Sequence, residues 1–307
     1  RDLVRSRGLG DVYKRQDPRV VALIADLKGS LKMEAFADEF PERFIQCGIA
    51  EANMIGVAAG MAITGKVPFA GSFAEFVTGR VYDQIRQEVA YGETNVKIAA
   101  SHAGITLGED GATHQTMEDV ALMRALPGMV VINPCDYNQT KAATIAAAKY
   151  NGPVYLRFGR PAVANFTPED QEFEIGKAYV MNEGKDVTII ATGHMVWEAL
   201  KAAEALEAEG ICAEVIDMAT IKPLDEAAVV ASALKTGAVV VAEEHNMAGG
   251  LGELIAGVLA VKVPTPMEYI NGGDKFGQSG TPAELLAAYG LDAAHIAEAA
   301  KKAIARK

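Results

Sequence analysis

The chain has 307 residues, half of them hydrophobic and 22% charged, which is room for two soluble domains with full cores. Its net charge of −11 comes from scattered acids and argues against nucleic acid or an anionic membrane as the main partner, leaving scope for a local basic pocket that holds one phosphate. Cys47, Cys135 and Cys212 form no CxxC and no zinc spacing, which fits a reduced, cytoplasmic setting. No apolar run approaches the roughly 20 residues of a transmembrane helix, and no signal peptide is visible.

Taken in chain order, the first sixteen residues, RDLVRSRGLGDVYKRQ, hold five arginines and lysines and no helical or strand period. Residues 1–16 are expected to be a non-native or disordered start without a functional role, a frayed native terminus being the alternative. From Pro18 onward, apolar runs alternate with helical patterns. RVVALIAD, VPFAGS, VKIAAS, GMVVIN and PVYLRF read as strands, several of them apolar throughout, as in a parallel sheet covered on both faces. Residues 51–63, 74–91, 116–125 and 136–150 read as the helices between them. GRPAVANFTPEDQEFEIGKAYVMNEGKD is a turn-rich connector with little helical period. A second unit then begins, with DVTIIATG, CAEVIDM and GAVVVAEE as strands and 196–209 and 225–234 as helices. This alternation predicts two α/β domains, 17–170 and 171–307, with crossover connections and a boundary near 165–180.

The ordinary nucleotide signatures are absent: there is no Walker A pattern and no GxGxxG after a strand. NMAGGLGEL (246–254) opens a helix, where it can bind an anion or serve as a packing device. The densest polar stretch, SHAGITLGEDGATHQTMED, follows the strand VKIAAS and precedes a helix, the place where open α/β sheets carry their sites. It holds His102 and His114 with Asp110 between them. Histidine exchanges protons near neutral pH, and a carboxylate orients a hydroxyl or an imidazole. Loop capping by solvated histidines and metal binding are the alternatives, although the spacing matches no zinc pattern.

FIQCGIAEANMIGVAAGMAITG poses a different question, because no charge other than Glu51 occurs up to Ile63. In the company of Cys47, Ile49, Met54 and Ile55, this carboxyl is either a helix end stabilised by the dipole or a buried acid kept protonated as a hydrogen-bond donor. Gly56, Ala59 and Gly60 make the same helix slim enough for close approach to another subunit.

RFIQCGIAEANMIGVAAGMA, PFAGSFAEFVTGRVYDQIR, SHAGITLGEDGATHQ and TIKPLD together resemble the C-terminal half of transketolase, over essentially all of residues 17–307. The resemblance implies a thiamine-diphosphate pyrimidine-binding domain followed by a transketolase-type C-terminal α/β domain. It also implies an enzyme that uses thiamine diphosphate and Mg2+ to move a two-carbon ketol unit from a ketose phosphate to an aldose phosphate. By this resemblance Glu51 hydrogen-bonds the cofactor's aminopyrimidine nitrogen, Phe73 and Phe76 pack against that ring, and Gln115 borders the cofactor. His102, Asp110 and His114 hold the sugar hydroxyls, with the two histidines relaying protons. Ser30 and Arg160 bind the sugar phosphate, with Arg157 as the neighbouring candidate; an arginine fork addresses phosphate oxygens bidentately.

The family also carries a GDG motif followed by an Asn that binds metal and diphosphate, and this chain has neither. The resemblance therefore implies an N-terminal partner chain bearing GDG…Asn, which supplies the metal ligands, and an assembly of two copies of each chain. Other readings are deoxyxylulose-phosphate synthase, the beta chain of a 2-oxoacid dehydrogenase, or a non-catalytic assembly subunit. The paired histidines favour a polyhydroxylated sugar over a 2-oxoacid.

Overall fold

The computed structural model describes residues 17–307, so the expectation for residues 1–16 lies outside the described residues. The chain divides into two compact units: residues up to Ala103 together with Leu122–Ile175, and Gly104–Ala121 together with Gly176–Lys307.

The strands of the first unit are β1 (Val20–Ile24), β2 (Phe44–Gln46), β3 (Val67–Phe73), β4 (Lys97–Ser101), β5 (Val130–Ile132) and β6 (Val154–Arg157). They lie in the order β2-β1-β3-β4-β6-β5, every pair parallel. β1 and β3 are buried along their whole length. This is why they lack the apolar–polar alternation of a half-exposed strand. Val20, Val67, Phe69, Val130, Ile132, Val154 and Leu156 form one core cluster. Each buried aliphatic side chain of that kind contributes about 1.5–3 kcal/mol.

The crossovers include α1 (Glu34–Glu39), α2 (Glu51–Ile63), α3 (Tyr82–Gln84), α4 (Asp119–Ala125) and α5 (Tyr137–Lys149). Asp136 caps α5, accepting from the Gln139 amide at 2.9 Å. Its carboxylate also receives the Phe166 and Thr167 amides and the Thr167 hydroxyl at 2.7–2.8 Å, tying down the turn-rich connector.

The second unit contains β7 (Tyr179–Asn182), β8 (Val187–Ala191), β9 (Ala213–Asp217), β10 (Thr220–Lys222), β11 (Val239–Ala242) and β12 (Met267–Ile270). Five of these form a sheet in the order β12-β11-β8-β9-β7, parallel except for β7 against β9. Its helices are α6 (Met195–Ala208), α7 (Glu226–Thr236), α8 (Leu251–Lys262), α9 (Pro282–Ala288) and α10 (Ala293–Ile304).

Two expected helices differ. Residues 74–81 form turns rather than the start of a helix over 74–91. There the Thr78 hydroxyl donates to the Ala74 carbonyl at 2.6 Å, and Gly79 interrupts the run. The remainder continues from α3 into a π-helical stretch, Ile85–Tyr91. The helix expected from residue 116 begins at Asp119, because the Thr116 and Met117 carbonyls accept from the Gly104 and Asn246 amides instead.

Candidate functional site

Because all six strands of the first unit run parallel, their carboxyl ends lie along one edge of the sheet. Five neighbouring strands deliver the candidate residues there. Glu51 follows β2, Ser30 lies in the turns after β1, Phe73 ends β3, His102 follows β4, and Arg160 lies just beyond β6. This is the edge at which open α/β sheets bind their ligands.

Glu51 opens α2 and is 4% exposed. It is not the lone acid that the sequence suggests. Arg80 places its Nη1 at 3.4 Å from both carboxylate oxygens, with its own side chain half exposed. At 3.4 Å the contact is looser than the roughly 2.7–2.9 Å of a tight charge-assisted bond. Met54 and Ile55 are buried beside the start of α2, whereas Ile49 is 79% exposed and so is no part of an apolar lining. Of the three small residues on α2, Gly60 alone stands in open space. Ala59 is buried, and a Cβ at Gly56 would meet the Glu88 carboxylate at 3.2 Å.

A column of stacked groups extends from Arg80. Its guanidinium lies 4.0 Å from the Phe76 ring centre, Phe76 stacks on Phe73 at 5.9 Å and 20°, and Phe73 stacks on His102 at 3.9 Å and 19°. His102 is buried and holds a left-handed backbone, φ 60°, with Nδ1 at 2.6 Å from the Ser101 hydroxyl. Left-handed backbone at a non-glycine residue is uncommon and concentrates at functional sites. Ser30 and Arg160 are exposed, while Arg157 is buried within β6. Arg80 went unrecognised in the sequence. A buried acid demands a cation, and Arg80 and Arg86 are the cations that PFAGSFAEFVTGRVYDQIR offers.

Asp110, His114 and Gln115 belong to the second unit. Asp110 is exposed and His114 half-buried, with its Nδ1 at 3.0 Å from the Thr113 hydroxyl. Gln115 is buried, and its amide nitrogen donates to the carbonyls of Ile105, Gly108 and Gln278 at 3.0–3.2 Å. The glycine-rich start of α8 does not wait for an anion from outside. The Glu243 carboxylate already receives the Leu251 and Gly252 amides at 2.7 and 2.8 Å, so the chain supplies its own anion to those donors.

A parallel sheet whose carboxyl edge carries a buried acid, stacked aromatics, a strained histidine and an exposed arginine defines a ligand-binding α/β enzyme unit. Comparison with known proteins gives the family. Residues 9–165 match the transketolase pyrimidine-binding domain and residues 176–296 the transketolase C-terminal domain, so the chain belongs to the transketolase family. It is 47% identical to a 6-deoxy-6-sulfo-D-fructose transketolase subunit of a Clostridium species, over 96% of this chain and 92% of that one. It is 40% identical to an apulose-4-phosphate transketolase subunit of Phocaeicola vulgatus, over 91% and 89% of the two chains. A solved split-gene transketolase, described as an inactive β4 tetramer, is 49% identical, with a TM-score of 0.90 over 95% of this chain and 94% of that chain.

Transketolases generally use thiamine diphosphate, and the first unit fits the aminopyrimidine part of that cofactor. The fit rests on the buried carboxyl of Glu51, a group able to hydrogen-bond a ring nitrogen, whereas Phe73 and Phe76 stand in the stacked column with Phe73 already faced by His102. Among the described residues no group of three or more His, Cys, Asp or Glu could hold a metal ion, and no helix is long and apolar enough to cross a membrane.

Proposed function

We propose that this chain is the C-terminal subunit of a two-chain transketolase, which transfers a two-carbon ketol unit from a ketose phosphate to an aldose phosphate. The observation that carries this reading is the placement of Glu51, Ser30, Phe73, His102 and Arg160 at the carboxyl ends of five adjacent parallel strands. Thiamine diphosphate, when bound, supplies the nucleophilic carbon and the electron sink. Glu51 holds a proton at the aminopyrimidine nitrogen, giving up its loose contact with Arg80 for that ring. Phe73 and Phe76 orient the ring. His102, Asp110 and His114 hold the sugar hydroxyls, and the imidazoles take and return the hydroxyl proton. Arg160 and Ser30 grip the terminal phosphate.

A separate chain bearing GDG…Asn supplies the Mg2+ and diphosphate ligands, and the working enzyme contains two copies of each chain in the cytoplasm. The solved neighbour described as an inactive β4 tetramer supports a chain that self-associates and lacks activity by itself. The relatives named for a sulfosugar and for apulose 4-phosphate support a donor with an anionic terminus, for which an exposed arginine is suited.

Two variants of the reconstituted enzyme test the assignment. Arg160→Ala is expected to raise KM for phosphorylated donors about tenfold or more while leaving hydroxypyruvate, which has no phosphate, nearly unaffected. His114→Ala is expected to lower kcat with the ketose by about 10²–10⁴-fold, and to affect hydroxypyruvate less. Equal damage to both donors by Arg160→Ala would contradict its phosphate role and leave Arg157 as the candidate.

A further inference from the structure

The loop that carries Asp110 and His114 is moulded by a distant part of its own unit. Five glycines in or around this loop lie so close to a neighbour that a Cβ would overlap it. A Cβ on Gly104 would lie 2.2 Å from the Glu244 carboxyl carbon, and one on Gly111 would lie 2.5 Å from the Ser279 hydroxyl. From the other side, Gly277 presses on Gln115, Gly272 on Met117 and Gly249 on Ala121, with the corresponding distances at 1.8, 2.9 and 2.4 Å. Contacts under 3.0 Å leave space for a hydrogen atom alone, so the loop and residues 244–279 interlock with glycine backbone on one side and a side chain on the other.

Polar bonds hold the interlocked pieces. Glu244 accepts the Thr106 amide at 2.6 Å, and the Asn246 amide donates to the Met117 carbonyl at 2.6 Å. The Gln115 amide nitrogen faces three carbonyls, and only the nitrogen end of the amide can donate to them; this directs Oε1 toward Gly277. The opposing segment, residues 271–280, is itself fixed. Its start is bonded through the Gly272 amide to the His245 carbonyl at 2.8 Å, and its middle through the Tyr289 hydroxyl to the Phe276 carbonyl at 2.8 Å. Its end runs into the Thr281–Glu284 capping box of α9.

We infer that Gln115 and Gly277 are positioning residues for the transferase reaction: through them the C-terminal unit sets where Asp110 and His114 stand. Neither side chain needs to touch the sugar. The clamp itself rests on the contacts above, and its catalytic consequence rests on the proposed role of the loop. A displacement of about 1 Å in a reacting group can cost about 10²-fold in rate, so a clamp this close has a direct kinetic meaning.

The test is Gly277→Ala, with Gln115→Ala as the second variant should the first fail to fold. In the full chain, hydrogen exchange of amides 105–116 is expected to quicken about tenfold or more while β8 and β11 keep their protection. In the two-chain enzyme, kcat with a ketose phosphate is expected to fall about 10–100-fold, with KM changed little and hydroxypyruvate turnover affected less. The double variant should lose less than the product of the two single losses, because removing the Gln115 side chain vacates the space that the added methyl enters. Unchanged exchange at 105–116 in both variants would overturn the clamp. Faster exchange with unaltered ketose turnover would overturn the sugar-side reading of the loop and leave the clamp standing.

Discussion

Glu51 and Glu244 are both glutamates buried to within 4% of complete exclusion, one in each unit, and their partners differ in kind. Glu51 faces an arginine at 3.4 Å whose side chain is half in water. Glu244 accepts a backbone amide at 2.6 Å and lies 3.1 Å from the largely buried His194 imidazole. A carboxylate locked to backbone is already committed to holding a fold. A carboxylate held loosely by a half-exposed side chain can exchange that partner for a ligand, because the arginine retains solvent as an alternative. The contrast separates an acid kept for chemistry from an acid kept for structure more clearly than burial does.

Replacing each acid in turn separates the two roles. Glu51→Gln in the two-chain enzyme is expected to slow isotope exchange at the cofactor's thiazolium C2 by about 10²–10⁴-fold with little change in the unfolding midpoint. An unchanged exchange rate would return Glu51 to the role of a helix-end carboxylate. Glu244→Ala is expected to do the reverse. It leaves the buried Thr106 amide without its acceptor, at about 1–3 kcal/mol of stability in chemical denaturation, and exchange at C2 should stay within a few-fold of normal. A stable Glu244→Ala protein with slow exchange would invert the two roles.

A third buried ionisable group, on β4, gives a smaller effect. Lys97 is fully buried, and its ammonium donates to Asn95 Oδ1, the Tyr150 carbonyl and the Gly152 carbonyl at 2.6–2.8 Å. Burial pushes its pKa down to about 7. An unfolded lysine keeps its proton up to about pH 10.4. Between these values the unfolded chain binds more protons, so stability is expected to rise with pH, by at most about 1.4 kcal/mol per unit. Lys97→Met should remove that slope. Parallel denaturation curves for the two proteins from pH 7 to 9 would contradict it.

What was legible in the sequence follows from distance along the chain. Residues 51–63 read as a helix between two apolar strands, and α2 spans the same residues. Most of the parallel strands were legible because each is a short run that is apolar for most of its length; β2 and β12, parallel but only three and four residues long and partly exposed, were not. β7 was not, because it is a four-residue edge strand whose exposure alternates within a turn-rich stretch. Arg80 escaped because its acid lies 29 positions away across a crossover. The mould around the sugar-side loop escaped for the same reason on a larger scale. Thr106 meets a carboxylate 138 residues on, and Gln115 a carbonyl 163 residues on. Local pattern carries no record of such pairs, and glycines at 104, 111 and 277 read as ordinary loop residues until the atoms pressed against them are known.

Calorimetry of thiamine diphosphate and Mg2+ binding, paired with a ketol-transfer assay from xylulose 5-phosphate to ribose 5-phosphate, tests the two-chain assignment most directly. The isolated chain is expected to bind the cofactor weakly, without dependence on the metal, and to turn nothing over. Adding the GDG…Asn chain should restore both tight, metal-dependent binding and transfer. Tight, metal-dependent binding with turnover by the isolated chain would contradict the assignment.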